Sequence, residues 1–315
     1  MKKFLKNLEE ELKKKNINDE EIKEILADHQ EMIESAINEG LTDEELEAKF
    51  GNPKQVADEL SQFTDKQGEK VEKGNTDIIF NGVADNYEIE IGLLSEDIDI
   101  KTHDQEEIII KPIAINDIDK YTIEFNNNKL LIKAPKRNGT IFFRTRNRKF
   151  KLYLPVKYQI SHFKTKSING DVDIENIKVN EFEIGTNNGD LKLKGLELSQ
   201  FKASVINGDI DVINVTCDEF HASMISGDAN IKNLVCKNDI FINTVSGDVE
   251  IVGSSCKEAV LKTVSGDLDG EEFYPEALSL TSVSGDISIK NKDKNKPIEI
   301  KRKKSVSGDV EILIG

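Results

Sequence analysis

The chain reads Thr244-Val245-Ser246-Gly247-Asp248 and returns to nearly the same wording at residues 263–267, 282–286 and 305–309. The Gly-Asp pair alone recurs more widely, at intervals of 19, 19, 19, 20, 19, 19 and 23 residues. A nearly constant interval of this length indicates a repeat architecture. The pairs are Gly170-Asp171, Gly189-Asp190, Gly208-Asp209, Gly227-Asp228, Gly247-Asp248, Gly266-Asp267, Gly285-Asp286 and Gly308-Asp309.

Apolar residues recur at fixed distances from these glycines. The positions two before, two after and four after the glycine are mostly apolar, as Val245, Val249 and Ile251 illustrate. Such alternation predicts β-strands with one buried face. Five and seven residues before the glycine, apolar residues such as Ile242 and Ile240 have the opposite parity, which requires a bend or a bulge. Each repeat therefore holds at least two strands.

The predicted fold is mainly β: a right-handed parallel β-solenoid, or β-helix, with a small N-terminal α-helical bundle. Equivalent residues of successive coils would stack about 4.8 Å apart, and parallel crossovers are almost always right-handed. We expect regular coils of about 19 residues over residues 156–315. Residues 78–155 predict irregular coils that cap the stack, with a hairpin turn at residues 126–128.

Residues 1–63 carry the signals of short helices. Leu8 and Leu12 belong to an apolar stripe at helical spacing, and Thr42 with Glu45 forms a capping box. Asn52-Pro53 would begin a further helix, with proline at its favoured first position. We expect three or four helices packed as a bundle, followed by a polar linker over residues 64–77.

Parts of the sequence resemble two bacterial families. The order of Glu24-Ile25-Leu26, Gly40 and Phe50-Gly51-Asn52-Pro53 resembles the HTH-associated alpha-helical signalling (HAAS) domain, which implies a role in signalling. Members of that family often continue into membrane helices, whereas no such segment follows here. The Ser-Val-Ser-Gly-Asp repeat resembles the putative-adhesin family of β-helix proteins, which implies a solenoid without naming a ligand. Asn187 and the longer last interval depart from that repeat.

Net charge limits the classes of partner that the chain can bind, while hydropathy and cysteine content bear on its location. The net charge of −16 argues against nucleic-acid binding, which needs a basic surface. No stretch approaches the roughly 20 apolar residues of a membrane span, and no apolar signal-peptide core forms near the start. Three cysteines give no disulfide framework. We expect a cytoplasmic protein, with the cell surface, reached without a signal peptide, as the alternative; the sequence leaves the oligomeric state open.

Three charged groups are candidate partner surfaces. One lies on the N-terminal helices, one on a basic stripe whose alternate residues would share a strand face, and one in the insertion that lengthens the last interval. A solvated face or loop is the competing and favoured interpretation of each group. Their members are Asp28, His29 and Glu31; Arg144, Arg146 and Arg148; and Lys301, Arg302, Lys303 and Lys304.

Two further columns of residues are candidate metal sites. The repeat aspartates would repel one another unless they are hydrated, hydrogen-bonded to turn amides or countered by cations. Calcium is conceivable there, but a structural corner is the favoured interpretation. Cys217, Cys236 and Cys256 share one column that is otherwise apolar and has no histidine, which favours small core residues over a thiolate site. We therefore expect no metal and no cofactor.

No motif points to catalysis. The chain lacks a nucleophile elbow, a phosphate loop and zinc-ligand spacing, and its histidines are scattered. We expect a non-enzymatic scaffold, in which the helical module docks a protein partner and the solenoid presents a binding surface, in bacterial signalling or envelope stress. An adhesin-like binder of a surface glycan or protein is the alternative. A polysaccharide-active enzyme is a more remote one, since fold alone does not define function.

Overall fold

The computed structural model of the chain describes residues 2–15, 17, 19, 22–23, 25–26, 29–30, 52–61, 76–115, 117–135 and 148–314. These residues form two compact units, one helical and one made of β-strands. We describe each unit by itself. The signals at Gly40, Thr42, Glu45 and Gly51, and most of the expected linker, lie outside the described residues.

The helical unit contains helices α1 (Lys2–Lys14) and α2 (Pro53–Leu60). Their apolar faces pack together around a small core, because leucines four residues apart lie on one side of a helix. The buried members of that core are Leu8, Leu12, Ile17, Ile22, Ile25, Val56 and Ala57.

The start of α2 confirms the helix predicted at Asn52-Pro53. The Asn52 side-chain Oδ1 accepts a hydrogen bond from the Lys54 backbone N–H at 2.9 Å. This bond satisfies one of the amides that a helix leaves free at its N-terminus. Pro53, which has no N–H to satisfy, is the first helical residue.

The β unit is one continuous sheet wound into a solenoid. Its described strands are β1 (Ile78–Phe80), β2 (Tyr87–Gly92), β3 (Asp97–His103), β4 (Ile108–Ile113), β5 (Thr122–Asn126), β6 (Lys129–Lys133), β7 (Lys149–Pro155), β8 (Ile160–Ser167), β9 (Val172–Glu175), β10 (Lys178–Asn188), β11 (Leu191–Lys194), β12 (Glu197–Asn207), β13 (Ile210–Ser226), β14 (Ala229–Ser246), β15 (Val249–Val252), β16 (Ser255–Ser265), β17 (Leu268–Glu271), β18 (Tyr274–Ser284), β19 (Ile287–Asn291), β20 (Glu299–Ser307) and β21 (Val310–Ile314). A short 3₁₀ helix spans Ile118–Lys120.

Successive coils stack in parallel and in register, which confirms the solenoid. Phe182 pairs with Phe201, and Phe201 pairs with Phe220, so each residue lies over its equivalent one period earlier. Equivalent side chains therefore form ladders along the axis. The phenylalanine ladder is fully buried, with ring centroids 4.6–5.4 Å apart, a separation at which aromatic pairs attract.

Each coil turns at two corners that recur along the stack. One corner is the Gly-Asp pair, and a second lies six residues later, where the backbone adopts positive φ. Asparagine and glycine tolerate this left-handed conformation, and they fill all but one position of the second corner. These residues are Asn176, Gly195, Asn214, Asn233, Gly253 and Glu272.

The column two residues before the repeat glycine faces solvent, opposite to the prediction. The aliphatic residue two before the repeat glycine was expected to be buried, but Val245 is exposed. The buried position is one residue earlier, at Thr244, Thr263 and Ser282. Because these buried residues are small and polar, hydrophobicity alone assigned the parity of this segment incorrectly.

The first coil lies inside the stack instead of at its end. Strand β2 pairs with β6 on one side and β8 on the other, and β3 pairs with β7 and β9. Antiparallel strands β1, β4 and β5 extend this end of the sheet. The hairpin predicted at residues 126–128 joins β5 to β6, with Asn127 and Asn128 at positive φ.

Candidate functional site: the Gly-Asp corner

The repeat glycines allow successive coils to approach closely at the corner. The φ of Gly266 is +127°, and a Cβ atom built there would lie 2.2 Å from the carbonyl oxygen of Gly247. Any other residue would collide with the backbone of the preceding coil. Glycine is thus required both for its conformation and for the space that it leaves free.

The repeat aspartates form a hydrogen-bonded ladder. The Oδ1 atom of every member except the last, Asp309, accepts the backbone N–H of the next aspartate along the axis, at 2.8–3.1 Å. Each bond joins neighbouring coils and stabilises one carboxylate with an amide dipole. The members are Asp97, Asp171, Asp190, Asp209, Asp228, Asp248, Asp267, Asp286 and Asp309.

The first member of this ladder was missed in the sequence. Asp97 accepts the N–H of Asp171, although the two residues are 74 positions apart. Its corner reads Ser95-Glu96-Asp97, with glutamate in place of glycine. The signal that would have revealed it is the pattern that follows, because Ile98 and Ile100 occupy the same buried positions as Val249 and Ile251.

A row of exposed aliphatic side chains runs beside the aspartate ladder. These residues stand two before the repeat glycine and are 38–70% exposed. We call this row the aliphatic ridge; it consists of Ile206, Ile225, Val245, Val264, Val283 and Val306. The intervening column is polar: Asn207 donates to Asn188 at 2.8 Å, and exposed serines follow at the equivalent positions of later coils.

Acidic residues continue on the far side of the aspartate ladder. Two positions beyond the ladder, six of the nine residues are acidic, and the other three are Lys192, Asn230 and Ser288. The acidic members are Asp99, Asp173, Asp211, Glu250, Asp269 and Glu311. Partial burial, and then the charge of Asp267, raises the pKa of Asp269. The corner thus presents three parallel strips: aliphatic, polar and acidic.

Arg148 was expected to belong to a basic partner surface, but its side chain is buried. Arg148 is only 4% exposed. Its Nη2 donates to Asp117 Oδ1 at 2.7 Å and to the Tyr121 hydroxyl at 2.6 Å, and Tyr121 in turn donates to Glu96. A buried guanidinium is retained where carboxylates neutralise it, so this cluster secures the capping end of the solenoid. Arg144 and Arg146 lie outside the described residues.

His29 is likewise not a surface residue. It is 1% exposed, and its Nδ1–H donates to the Ile25 carbonyl at 2.7 Å. Burial lowers the pKa of its imidazole, so the side chain is an uncharged member of the helical unit. Asp28 and Glu31 lie outside the described residues.

The lysine-rich strand β20 separates into different roles. Lys301 pairs with Glu258 at 3.0 Å. Lys303 occupies an inward column above Leu280 and donates to the Val310 carbonyl at 2.8 Å, across the end of the core. Arg302 and Lys304 lie on the outward face of the strand, and all four side chains are exposed. These side chains do not converge on one point, and inward lysine is a known device for blunting a sheet edge.

The cysteines are core residues, as their column predicts. Cys217, Cys236 and Cys256 are buried, unoxidised thiols, and the first two are partners in adjacent strands. Burial raises the pKa of Cys256. Among the described residues, no group of three potential ligands could hold a metal ion.

A shallow groove opens beside this column. It has a volume of about 790 Å³ and is lined in part by Tyr274, Lys237, Lys257 and Lys296. The Lys296 ammonium lies 4.3 Å from the centre of the Tyr274 ring, a cation–π contact. The insertion that lengthens the last interval forms one wall.

In the part of the chain described by the structure, no helix is long and apolar enough to cross a membrane.

Several solved structures resemble the chain. One, described as a putative adhesin from Parabacteroides merdae, is 17% identical with a TM-score of 0.46 and matches 75% of this chain and 97% of its own. A putative lipid binding protein from Parabacteroides distasonis is 18% identical with a TM-score of 0.47, over 76% and 98% of the chains. A putative cell adhesion protein from Clostridium sporogenes is 12% identical with a TM-score of 0.31, over 75% and 98%.

Among curated proteins, no sequence matches the chain. Two family models do. The HAAS model matches residues 3–59, which contain α1 and α2. The Toastrack DUF4097 model matches residues 86–213 and 197–315, the whole of the regular solenoid with its first coil. Both segments matched by the Toastrack DUF4097 model contain the repeated Gly-Asp corner. The chain belongs to the Toastrack DUF4097 family.

Proposed function

We propose that this protein is a non-enzymatic interaction protein whose solenoid presents a rigid linear binding surface, while its helical module docks a protein partner. The observation that carries the proposal is the corner itself, where aliphatic, polar and acidic strips run side by side along the axis. Monomeric proteins rarely expose a continuous apolar row, and such rows mark sites of interaction.

The arrangement of titratable groups supports binding over catalysis. The described histidines of the solenoid stand apart: His103 contacts the Glu107 carbonyl, His162 faces Glu181, and His221 packs on Phe241. Catalysis needs a base and an acid or nucleophile within hydrogen-bonding reach of one reacting centre. These contacts are spread over different coils.

The helical module supports a signalling role. Its match to the HAAS family agrees with a module that docks a protein in bacterial signalling or envelope stress. A cytoplasmic location suits that role, and Arg302 and Lys304 remain exposed for an acidic partner.

A second candidate function is adhesin-like binding of a glycan. The groove beside Tyr274 favours it, since an aromatic ring among lysines provides apolar contact and positive charge for an acidic sugar. Its size falls within the range of ordinary ligand sites.

Affinity capture with the full chain tests the proposed function. Extracts of the source cells, separated into cytosolic and surface fractions, would be passed over the wild-type protein and over Val245→Thr/Val264→Thr/Val283→Thr. A partner retained by the wild type and lost from the variant supports the corner as the binding surface. Capture confined to the surface fraction would favour the adhesin-like function, and an absence of any captured partner would refute the proposal.

A further inference from the structure

We propose that the aliphatic ridge and its acidic flank bind a basic, amphipathic α-helix of a partner protein. The inference rests on the proposed function and names the chemistry of the partner. It follows from three features of the corner. Its apolar side chains are covered by no described residue, its negative charge lies on one side, and the spacing between its coils is close to the pitch of an α-helix.

The ridge reverses the usual placement of apolar and polar side chains. At this edge of the coil, Thr244 and Thr263 are buried while Val245 and Val264 point to solvent. The hydrophobic effect favours the opposite arrangement. The fold therefore places valine and isoleucine outside in every coil of the ridge, and a partner that covers them recovers the free energy of burying that surface.

The acidic flank selects the charge of the partner. The aspartate ladder and the acidic column beyond it lie on one side of the ridge, where Asp248, Glu250, Asp267 and Asp269 stand close together. Nearby carboxylates contribute to the raised pKa of Asp269, after the effect of burial. Such a field attracts lysine and arginine and repels acidic glycans, nucleic acids and anionic lipid headgroups.

The dimensions of the ridge suit a helix. From Ile206 to Val306 the ridge crosses five coil steps, or about 24 Å at about 4.8 Å per step. A helix of about 16 residues spans that distance, and its pitch of about 5.4 Å is close to the coil spacing. Its apolar stripe would cover the ridge, and basic residues on one flank would reach the aspartates.

A second copy of the chain fits the corner less well. Each copy carries a net charge of −16, so association along this surface would bring two acidic proteins together. The described column that borders the ridge offers few basic residues to pair with a neighbour's aspartates: only two of its six members, Lys262 and Lys304, are basic, and the others are Ser204, Ser223, Asn243 and Thr281.

The test measures binding of a synthetic amphipathic helix of leucine and lysine to the full chain, by fluorescence anisotropy. The matched probes are a leucine–glutamate helix of the same pattern and a lysine-only peptide. We expect the leucine–lysine probe to bind, with an affinity that falls as salt is raised, and neither control probe to bind comparably. Equal binding of the leucine–glutamate probe would overturn the proposal.

Variants separate the two contributions. Val245→Thr/Val264→Thr/Val283→Thr preserves side-chain shape at exposed positions and should weaken binding about tenfold or more. Asp248→Asn/Asp267→Asn/Asp286→Asn keeps the Oδ1 acceptor of the ladder and should reduce both the affinity and its salt dependence. The control Ile213→Thr/Val235→Thr, at exposed aliphatics away from the ridge, should change neither.

The remaining outcomes are distinguishable. If the probe binds the ridge variant as it binds the wild type, the ridge is not the site and the proposal fails. If the wild type binds no probe but forms dimers that the ridge variant abolishes, as measured by light scattering, the occupant is a second copy and the proposal also fails. In either case the proposed interaction function still stands if affinity capture finds a partner, and it falls only if none is captured.

Discussion

At the Gly-Asp corner, one hydrogen atom in place of a methyl group decides whether two coils can stack. Gly266→Ala would place a Cβ atom 2.2 Å from the Gly247 carbonyl oxygen at a φ of +127°. We expect the free energy of unfolding to fall by about 3 kcal/mol or more, since a steric clash adds to backbone strain. Urea denaturation followed by circular dichroism measures this loss.

Gly185→Ala is the matched control within the same sheet. A Cβ atom there would meet only the Ser204 carbonyl oxygen, at 3.9 Å. We expect unfolding to be unchanged or to become harder by up to about 1 kcal/mol, because alanine reduces the freedom of the unfolded chain. Equal losses in the two variants would show that close approach at the corner is not what requires glycine.

Residue patterns predicted the corner better than its neighbours. The glycines and aspartates were recognisable because they recur at a constant interval. The orientation of Val245 was not, because its buried neighbour Thr244 is polar and the alternation of hydrophobicity therefore points the wrong way. The burial of Arg148 was equally hidden, since its partners Glu96 and Asp117 are distant in sequence and come together only through the capping strands.

Among the elements, strand β6 is held to β2 by ion pairs as well as by backbone bonds. The Glu90 carboxylate lies 2.7 Å from the Lys129 ammonium and 2.9 Å from that of Lys133. Hydrogen bonds from Lys129 and then Lys133 lower the pKa of Glu90 to about 2. The side chain is one-third exposed, so solvent screens these pairs and their contribution is modest, about 0.5–1 kcal/mol.

Glu90→Gln should therefore change the acid sensitivity of the cap. Because the folded-state pKa lies below the ordinary value of 4.5, the ion pairs stabilise the fold above that pH and lose their effect as the pH falls toward 2. We expect the thermal midpoints of wild type and variant to differ above pH 4.5 and to converge near pH 2. Glu88→Gln, at a carboxylate 3.9 Å from Lys129, is the control and should give a smaller difference.

Strand β20 carries a charge where earlier coils carry a core residue. Lys303 aligns with Leu280, which is fully buried. Lys303→Leu would replace the ammonium over the end of the core with an apolar side chain on a strand edge. We expect the variant to self-associate with rising concentration, as measured by light scattering. Lys304→Leu, on the outward face of the same strand, should remain at the wild-type mass; association of both variants would deny the inward position a special role.

The second corner shows why only part of each coil was predicted. Asn214 and Asn233 adopt positive φ, and Asn233 donates to Asn214 at 2.8 Å. Asparagine and glycine do recur six residues after the repeat glycine, so a signal was present. That signal is weak because asparagine, glycine and one glutamate share the column, whereas the Gly-Asp pair is invariant. The hairpin between β5 and β6 was predictable because its turn residues are local.

On the scale of the whole molecule, the coils are interchangeable units. Deleting residues 191–209 removes one period and joins Asp190 to Ile210, so the corner pattern continues without interruption. We expect a folded protein that is about 4.8 Å shorter and less stable, because a repeat protein loses one interface with each coil. Circular dichroism and small-angle scattering test this. Deleting residues 191–199 breaks the register and should prevent folding; a folded product would contradict strict stacking.

The period alone predicted the overall architecture, since side chains one interval apart must lie above one another in a parallel stack. The order of coils at the capping end was not predictable in this way. Strands β2 and β3 contain no repeat glycine, and their neighbours β6 and β7 come from a segment without the motif.

Because the first coil lies inside the stack, its strands must wait during synthesis for partners that are made much later. Asp97 leaves the ribosome 74 residues before Asp171, its partner in the ladder. At about 5–20 residues per second, that interval lasts roughly 4–15 s. Until then, one edge of β3 has no template to join, and the nascent chain is most exposed to mispairing at the very coil from which the later repeats extend.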